Sequence, residues 1–501
     1  MAGTGKTTIA YSFSECLESS GMLGATFFCS RAEEDTKNAH RVFPTLAYGL
    51  AQHFPSMCSA LMDILRRDPD AEGRVMAQQF DALIATPLQA ASDELSSRPT
   101  VIVIDALDEC DKQDEVSDML SIISRYSTDL PVKFFITSRP ERQIRRGFNR
   151  RDFEPHSKFI LHDVEKDVVN ADIAIYAREQ LMDIADGRSD LNGLLDDWPP
   201  EDQLNTLVRL AGCLFIYAAT ACEYVACGGN IRERLAVVTS ISPRTWNGKT
   251  GTLDALYDNI LTTAYEVADT KEEEQVQEVL RAVVSACNPL SISGLSMLLD
   301  IAAPKIHGSL SSLHSVIYIP PSGDPSLPIS TFHASFPDYI TDHTRSREHF
   351  LDPSKSHRRL ALHCLDLMQK RLRTNICHLE GRPPNTDIPP SVITKFIPEG
   401  LAYACTHWAF HVADINLDGG VPNDIFEAVL RFFDNNVLQW MECLSLLGHL
   451  QVAITSLRRM ESWAKVRPPR SIHNLLLNTL VDLSRPVKRR HRYSSVHHRE
   501  L

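Results

Sequence analysis

Apolar positions recur at helical spacing at the start of the chain. Ile9, Phe13, Cys16 and Leu17 share one face before Ser19-Ser20-Gly21 ends the run, which predicts a helix over residues 6–18. The pattern then changes to short apolar runs of strand length. These are "ATFFCS" (25–30), "TVIVID" (100–105), "VKFFITS" (132–138) and "SKFILHD" (157–163). Runs this apolar and rich in β-branched residues suit strands buried on both faces of a parallel sheet. A helical stretch from about Ala39 to Leu65 and another ahead of Thr100 separate them. Strand–helix alternation at this rhythm predicts an α/β fold, a parallel sheet with helices on both faces.

Beyond residue 165 the strand pattern stops. Residues 167–181 read as an amphipathic helix, 186–203 as a loop holding a short helix, and 204–226 as one strongly apolar helix. The Gly, Pro and Ser content of 242–252 predicts a linker. From Leu253 to Asp300 the pattern is helical again. In 316–336 two β-like runs flank a Pro/Gly turn, as in a hairpin, and helices followed by a hairpin suggest a winged-helix module. A helical C-terminal region follows, with a Pro-rich loop at 381–391. No internal repeat is visible, which argues against a solenoid or propeller. The expected division is an α/β core (1–165), a helical domain (166–250), a winged-helix-like domain (251–345), a helical region (346–480) and a basic, disordered tail (481–501).

A length of 501 residues calls for more than one core. The 43% apolar and 23% charged residues are ordinary for a globular protein, and the net charge of −13 argues against a nucleic-acid-coating surface. Twelve scattered cysteines form no CxxC pair and read as reduced thiols filling cores. The most apolar run, 210–222, has 13 residues between Arg209 and Glu223, too short to cross a bilayer. With no apolar signal region at the start, a cytoplasmic protein without a transmembrane segment is expected.

The candidate chemistry lies in three places. "MAGTGKTT" contains most of a phosphate-binding loop: Gly3, Thr4 and Gly5 would let backbone N–H groups face phosphates, and Lys6 would add positive charge. Thr7 would help hold Mg²⁺, and Thr8 continues the helix N-terminus aimed at the anion. "VIVIDALDEC" (101–110) is an apolar strand ending in Asp105, at the end of a parallel strand where α/β sheets bind ligands. Asp105 can take Mg²⁺ or its water, and Asp108 or Glu109 can orient or deprotonate an attacking water. "FFITSRP" (134–140) ends a further strand in Thr137, Ser138 and Arg139, whose cation can contact a γ-phosphate.

In this order the three motifs resemble the NACHT-type signal-transduction ATPases of the STAND class, closest to the fungal, basidiomycete-like group with a nephrocystin-3-like N-terminal region. The resemblance continues through "LVRLAGCLFIYAAT" (207–220), "TLDALYDNIL" (252–261), "FHASFPDYI" (332–340) and "LAYACTHWAFHV" (401–412). It implies an ATP/ADP switch with Mg²⁺ as cofactor. Lys6 and Thr7 would sit on the phosphates and metal, Asp105 would be the Walker B aspartate and Arg139 the sensor. His333 of "FHASF" would reach the β-phosphate in a closed, ADP-bound form. It also implies protein partners or a homo-oligomer on activation, and a role in fungal non-self recognition or programmed cell death. The loop's first glycine and its preceding strand would fall ahead of Met1, so the resemblance implies an N-terminally truncated member.

Two functions follow from this reading: a slow, Mg²⁺-dependent ATPase switch, or a catalytically weak, NACHT-derived interaction scaffold. The basic run 485–492 reads as a solvated tail rather than an import signal. His and Cys pairs such as those at 357–364 and 377–378 lack zinc-site spacing. Trp408, Phe410 and Trp440 are expected in a core.

Overall fold

The computed structural model describes residues 3–31, 33–96, 98–126, 128–142, 144–145, 161, 164–187, 197–227, 230–242, 244–246, 249–266, 270–320, 327–381, 383–416 and 422–465. The described chain is mostly helical, with one small parallel sheet near its start. It divides into two compact units. The first comprises residues 1–262, 314–316 and 331–339, and the second 263–313, 317–330 and 340–501.

In the first unit, α1 (Lys6–Ser19) leads into β1 (Leu23–Phe28). Helices α2 (Ala39–His53) and α3 (Pro55–Arg67) follow, then β2 (Val101–Asp105), α4 (Gln113–Tyr126) and β3 (Lys133–Ile136). The strands lie in the order β1–β2–β3, all parallel, with Phe28 opposite Asp105 and Ile104 opposite Ile136. The alternation of β2 explains the layering. Val103 faces α1, packing with Ala10 and Leu17. Ile102 and Ile104 face the other way, into a core built from Val42, Phe43, Leu46, Leu50, Met119 and Leu120 of α2 and α4. Helices therefore cover both faces. The run 157–163, read as a fourth strand, lies outside the described residues except for Leu161.

The predicted helix over 39–65 is two helices. Pro55 has no N–H to give Phe54 a continuing ladder, Phe54 is extended, and Pro55 opens α3 as its first residue. Four helices then complete the unit's middle: α5 (Lys166–Asp186), α6 (Glu201–Ala211), α7 (Phe215–Ala226) and α8 (Ile231–Ser240). The single helix read over 204–226 is thus α6 and α7. Gly212 ends α6 in the left-handed region at φ 54°, and Cys213 follows at φ 69°. The segment read as a linker at 242–252 carries a short antiparallel ladder, β4 (Arg244–Trp246) with β5 (Lys249–Gly251), before α9 (Thr252–Glu266).

The second unit opens with α10 (Thr270–Ser285), α11 (Ile292–Leu299) and α12 (Ala303–Ser311). Within 316–336, where a hairpin is expected, β6 (Ile317–Tyr318) and β7 (Ser330–Thr331) form a two-stranded sheet, and the expected Pro/Gly turn at 321–326 lies outside the described residues. Then come α13 (Pro353–Arg371), α14 (Glu399–Ala413), α15 (Asn423–Asn435), α16 (Val437–Leu446) and α17 (Leu450–Lys465). Asp352 caps α13 by accepting the N–H groups of Ser354 and Lys355, with Pro353 pre-set at the first helical position. Trp408 and Trp440 are fully buried and meet Phe432, with ring centroids 4.5 Å apart for Trp408–Phe432. Phe410 differs from the expectation: it is only half-buried, with the Arg459 guanidinium 5.0 Å over its ring. The basic tail lies outside the described residues.

Candidate functional site

Gly3 and Gly5 shape the start of α1. Both are left-handed, at φ 78° and 80°, a conformation that a Cβ makes costly. Gly3 also has a steric reason to be glycine: a Cβ there would lie 2.0 Å from Cγ2 of Ile216, at the start of α7, whose N–H donates to the Gly3 carbonyl at 3.3 Å. Gly5 is the N-cap of α1 and, as glycine, has no side chain with which to cap that terminus. The first-turn amides of Lys6, Thr7 and Thr8 thus present the positive end of the helix, as anion binding requires. Thr7 and Thr8 are exposed.

Lys6 is half-buried. Burial pulls its ammonium below the usual lysine range; Asp108, then Asp105 and Glu109, push it back up, and Arg139 opposes them. The charges acting on this one ammonium therefore come from β2, its turn and the exit of β3, three segments far apart in sequence. Asp105 ends β2 almost wholly buried, and the Thr137 hydroxyl donates to its carboxylate. Thr137 Oγ1 in turn accepts the Ala106 N–H at 2.9 Å. Ala106 is left-handed at φ 52° without being glycine, a strained residue that turns the chain into the acidic bend Leu107–Glu109.

The two acids of that bend differ. Asp108 is committed to Arg139: its Oδ1 accepts the Arg139 backbone N–H at 2.7 Å, and its Oδ2 lies 3.3 Å from the guanidinium Nε. Glu109 accepts the Arg31 backbone N–H at 3.3 Å, and burial raises its carboxyl above the usual range. Arg139 has a second partner, Asp338, whose Oδ2 is 2.8 Å from Nη1. The other oxygen of Asp338 faces Arg31 at 3.4 Å. One carboxylate from the short helix Ser335–Ile340 thus bridges two arginines at the carboxyl edge of the sheet.

His333 precedes that helix. Its Nδ1 accepts the Ser335 N–H at 3.1 Å, which leaves the ring proton on Nε2, and the Ser335 hydroxyl lies 2.8 Å from that of Tyr257. Burial, and then the cations Arg139 and Lys6, hold its imidazole at about 4 against 6.5 ordinarily, with Asp338 opposing. The folded chain therefore binds fewer protons here than the unfolded chain between those values. This contribution to stability is complete above pH 6.5 and is lost as pH falls toward 4. His333→Gln is expected to remove up to about 2 kcal/mol of the destabilisation between pH 7 and pH 4.5. Urea midpoints of both proteins at the two pH values check this, and equal acid losses would refute it.

Of the residues singled out in the sequence, Lys6, Asp105, Asp108, Glu109, Arg139 and His333 act on one another here. Arg31, Asp338 and Ile216 were not assigned a role, although Arg31 follows a strand's carboxyl end as Asp105 and Arg139 do. With this geometry in view, two likenesses to known proteins bear on it. Residues 1–139 match the family model described as Nephrocystin 3, N-terminal. The chain is also 23% identical, over 513 aligned positions, to Vegetative incompatibility protein HET-E-1 of Podospora anserina. That alignment covers 92% of this chain and 34% of the relative, so the chain spans about a third of the length of the curated relative it matches. Both likenesses support a NACHT-like, fungal relationship. The family match ends at Arg139, so it takes in Lys6, Asp105 and Arg139 and stops short of Asp338 and His333.

Proposed function

We propose that this chain is a nucleotide-dependent switch of the NACHT type that binds ATP and ADP and hydrolyses ATP slowly. The observation that carries the reading is the convergence of Lys6, Asp105, Asp108, Glu109 and Arg139 beside an uncapped helix N-terminus. Lys6 and the first-turn amides would hold the phosphates. Asp105 and Thr7 offer only oxygen donors, the set Mg²⁺ prefers, and would hold that ion; when bound it supplies charge neutralisation on the transferred phosphoryl group. With Asp108 engaged by Arg139, Glu109 is the carboxylate suited to orient water and take its proton, and its raised affinity for protons favours that task.

Asp338 gives the switch its direction. Its carboxylate occupies the guanidinium that would otherwise meet the γ-phosphate, so ATP must displace it and ADP need not. Asp338→Asn is expected to raise the affinity for ATP relative to ADP by about three- to tenfold, the scale of a partly exposed ion pair. Competition titrations with the two nucleotides measure it; an unchanged ratio would exclude the gating role. His333, beside Lys6 and Arg139, would contact the β-phosphate in the ADP form.

The relative's name associates it with vegetative incompatibility, and a role of this chain in fungal non-self recognition is the reading that follows, with protein partners or self-association as output. Among the described residues no helix is long and apolar enough to cross a membrane, and we place the protein in the cytoplasm. The deciding experiment is Mg²⁺-dependent ATP hydrolysis by the purified chain. Asp105→Asn is expected to slow it about 100-fold, because one metal-binding charge is lost. Hydrolysis undiminished in that variant would overturn the reading.

A further inference from the structure

The nucleotide site leaves two thiols without a task. Cys29 follows β1 directly and is held to β2 by its N–H, which donates to the Asp105 carbonyl at 3.0 Å. Cys110 follows Glu109, where the chain turns extended after the acidic bend. They are 81 residues apart in sequence, yet their Sγ atoms are 3.4 Å apart, in contact beneath the acidic bend. Both are buried among Ala106, Leu107 and the sheet's apolar face, and both are free thiols.

We propose that Cys29 and Cys110 form a redox pair that closes to a disulfide when oxidised by a hydroperoxide, tying the exit of β1 to the acidic bend. The contact is already short. A disulfide needs its sulfurs at about 2.05 Å, so the pair must close by about 1.4 Å. Closure draws Cys110 toward Cys29, which the sheet holds, and strains the N–H contacts of Cys110 to the Leu107 carbonyl (3.4 Å) and of Asp111 to the Lys37 carbonyl (2.7 Å).

The chemistry balances in two steps. One thiol loses its proton, and its thiolate takes the terminal oxygen of the hydroperoxide. The O–O bond breaks, and the alkoxide or hydroxide leaving group takes up a proton, giving a sulfenic acid and an alcohol or water. The second sulfur then attacks the sulfenic sulfur, and its S–H proton leaves with the hydroxyl as water. Two electrons pass from the sulfurs to the peroxide. Both sulfurs are buried, so closure is slower than oxidation of the exposed Cys16.

Closure reaches the site through its neighbours. Cys110 is bonded to Glu109, and Glu109 accepts the N–H of Arg31, two residues beyond Cys29. Drawing the sulfurs together displaces Glu109 from that contact. This consequence, unlike the bond itself, rests on the switch reading above.

The test treats the full chain with hydrogen peroxide, blocks remaining thiols under denaturing, non-reducing conditions, and maps peptides by mass spectrometry. The expected product is a Cys29–Cys110 linked peptide pair lacking two hydrogens, removed by dithiothreitol and missing in Cys29→Ser and in Cys110→Ala. ATP hydrolysis is expected to fall at least about tenfold on oxidation, to recover on reduction, and to resist peroxide in either variant. Absence of the linked pair, with both cysteines blocked as in untreated protein, would overturn the proposal whatever the hydrolysis shows. A linked pair with undiminished hydrolysis would overturn the coupling to Glu109. If reduced protein hydrolyses no ATP, the switch reading falls and the linked peptide alone upholds or refutes the redox pair.

Discussion

Lys6→Ala is expected to weaken binding of both ATP and ADP by about 1000-fold, the upper range for removing one preorganised charged contact to phosphate. Lys6 is the cation on the loop itself, and its ammonium balances Asp105, Asp108 and Glu109. Without it the phosphates meet three carboxylates with Arg139 as the nearby counter-charge, and Arg139 is already paired with Asp108 and Asp338. The loss therefore combines a missing attraction with an exposed repulsion. Lys6→Arg should recover only part of it, since a planar guanidinium does not replace a compact ammonium in a confined site. Titration with a fluorescent nucleotide measures the effect. Affinity within a few-fold of the parent protein would mean that phosphates do not lie against this loop.

Trp408→Ala is expected to destabilise the second unit by about 3–5 kcal/mol. Trp408 is completely buried on α14 and meets Phe432, Phe433 and Trp440 at once. Truncation would leave a cavity that rigid aromatic neighbours fill poorly. Trp408→Phe should cost much less. Among the described residues the indole N–H has no hydrogen-bond partner, so replacing it removes a buried unsatisfied donor along with some volume. Trp440 is the contrasting case, because its Nε1 donates to the Cys405 carbonyl at 2.7 Å. Trp440→Phe should therefore be the costlier of the two indole-to-phenyl changes. Urea unfolding followed by hydrogen exchange in α14 and α16 separates these outcomes. Equal losses for the two Phe variants would refute the hydrogen-bond argument.

The parallel strands were legible because burial on both faces leaves a continuous apolar run, and 101–105 and 133–136 fall within the runs read from sequence. Their shared edge also made Asp105 and Arg139 legible, since side chains at strand ends converge where a ligand binds. What escaped was local backbone geometry and long-range pairing. The break between α6 and α7 depends on Gly212 and Cys213 going left-handed inside an apolar stretch that periodicity joins into one helix. The 242–252 ladder was masked by turn residues. Arg31 carried no signal of its own in the sequence, because its partners Asp338 and Glu141 are brought to it only by the fold. The division of labour between Asp108 and Glu109 was likewise invisible, for adjacent acids are told apart by what they touch.

The first unit is not continuous in sequence: it takes back residues 314–316 and 331–339 after the chain has entered the second. A ribosome making this protein releases Lys6, Asp105 and Arg139 long before Asp338 and His333. The early segment must wait, with Arg139 lacking its later partner, while much of the second unit is synthesised at about 5–20 residues per second. An expression fragment stopped at residue 262 would reproduce that waiting state permanently. In such a fragment Arg139 would keep Asp108 and Arg31 would keep Glu141, while the carboxylate of Asp338 that bridges the two would be missing.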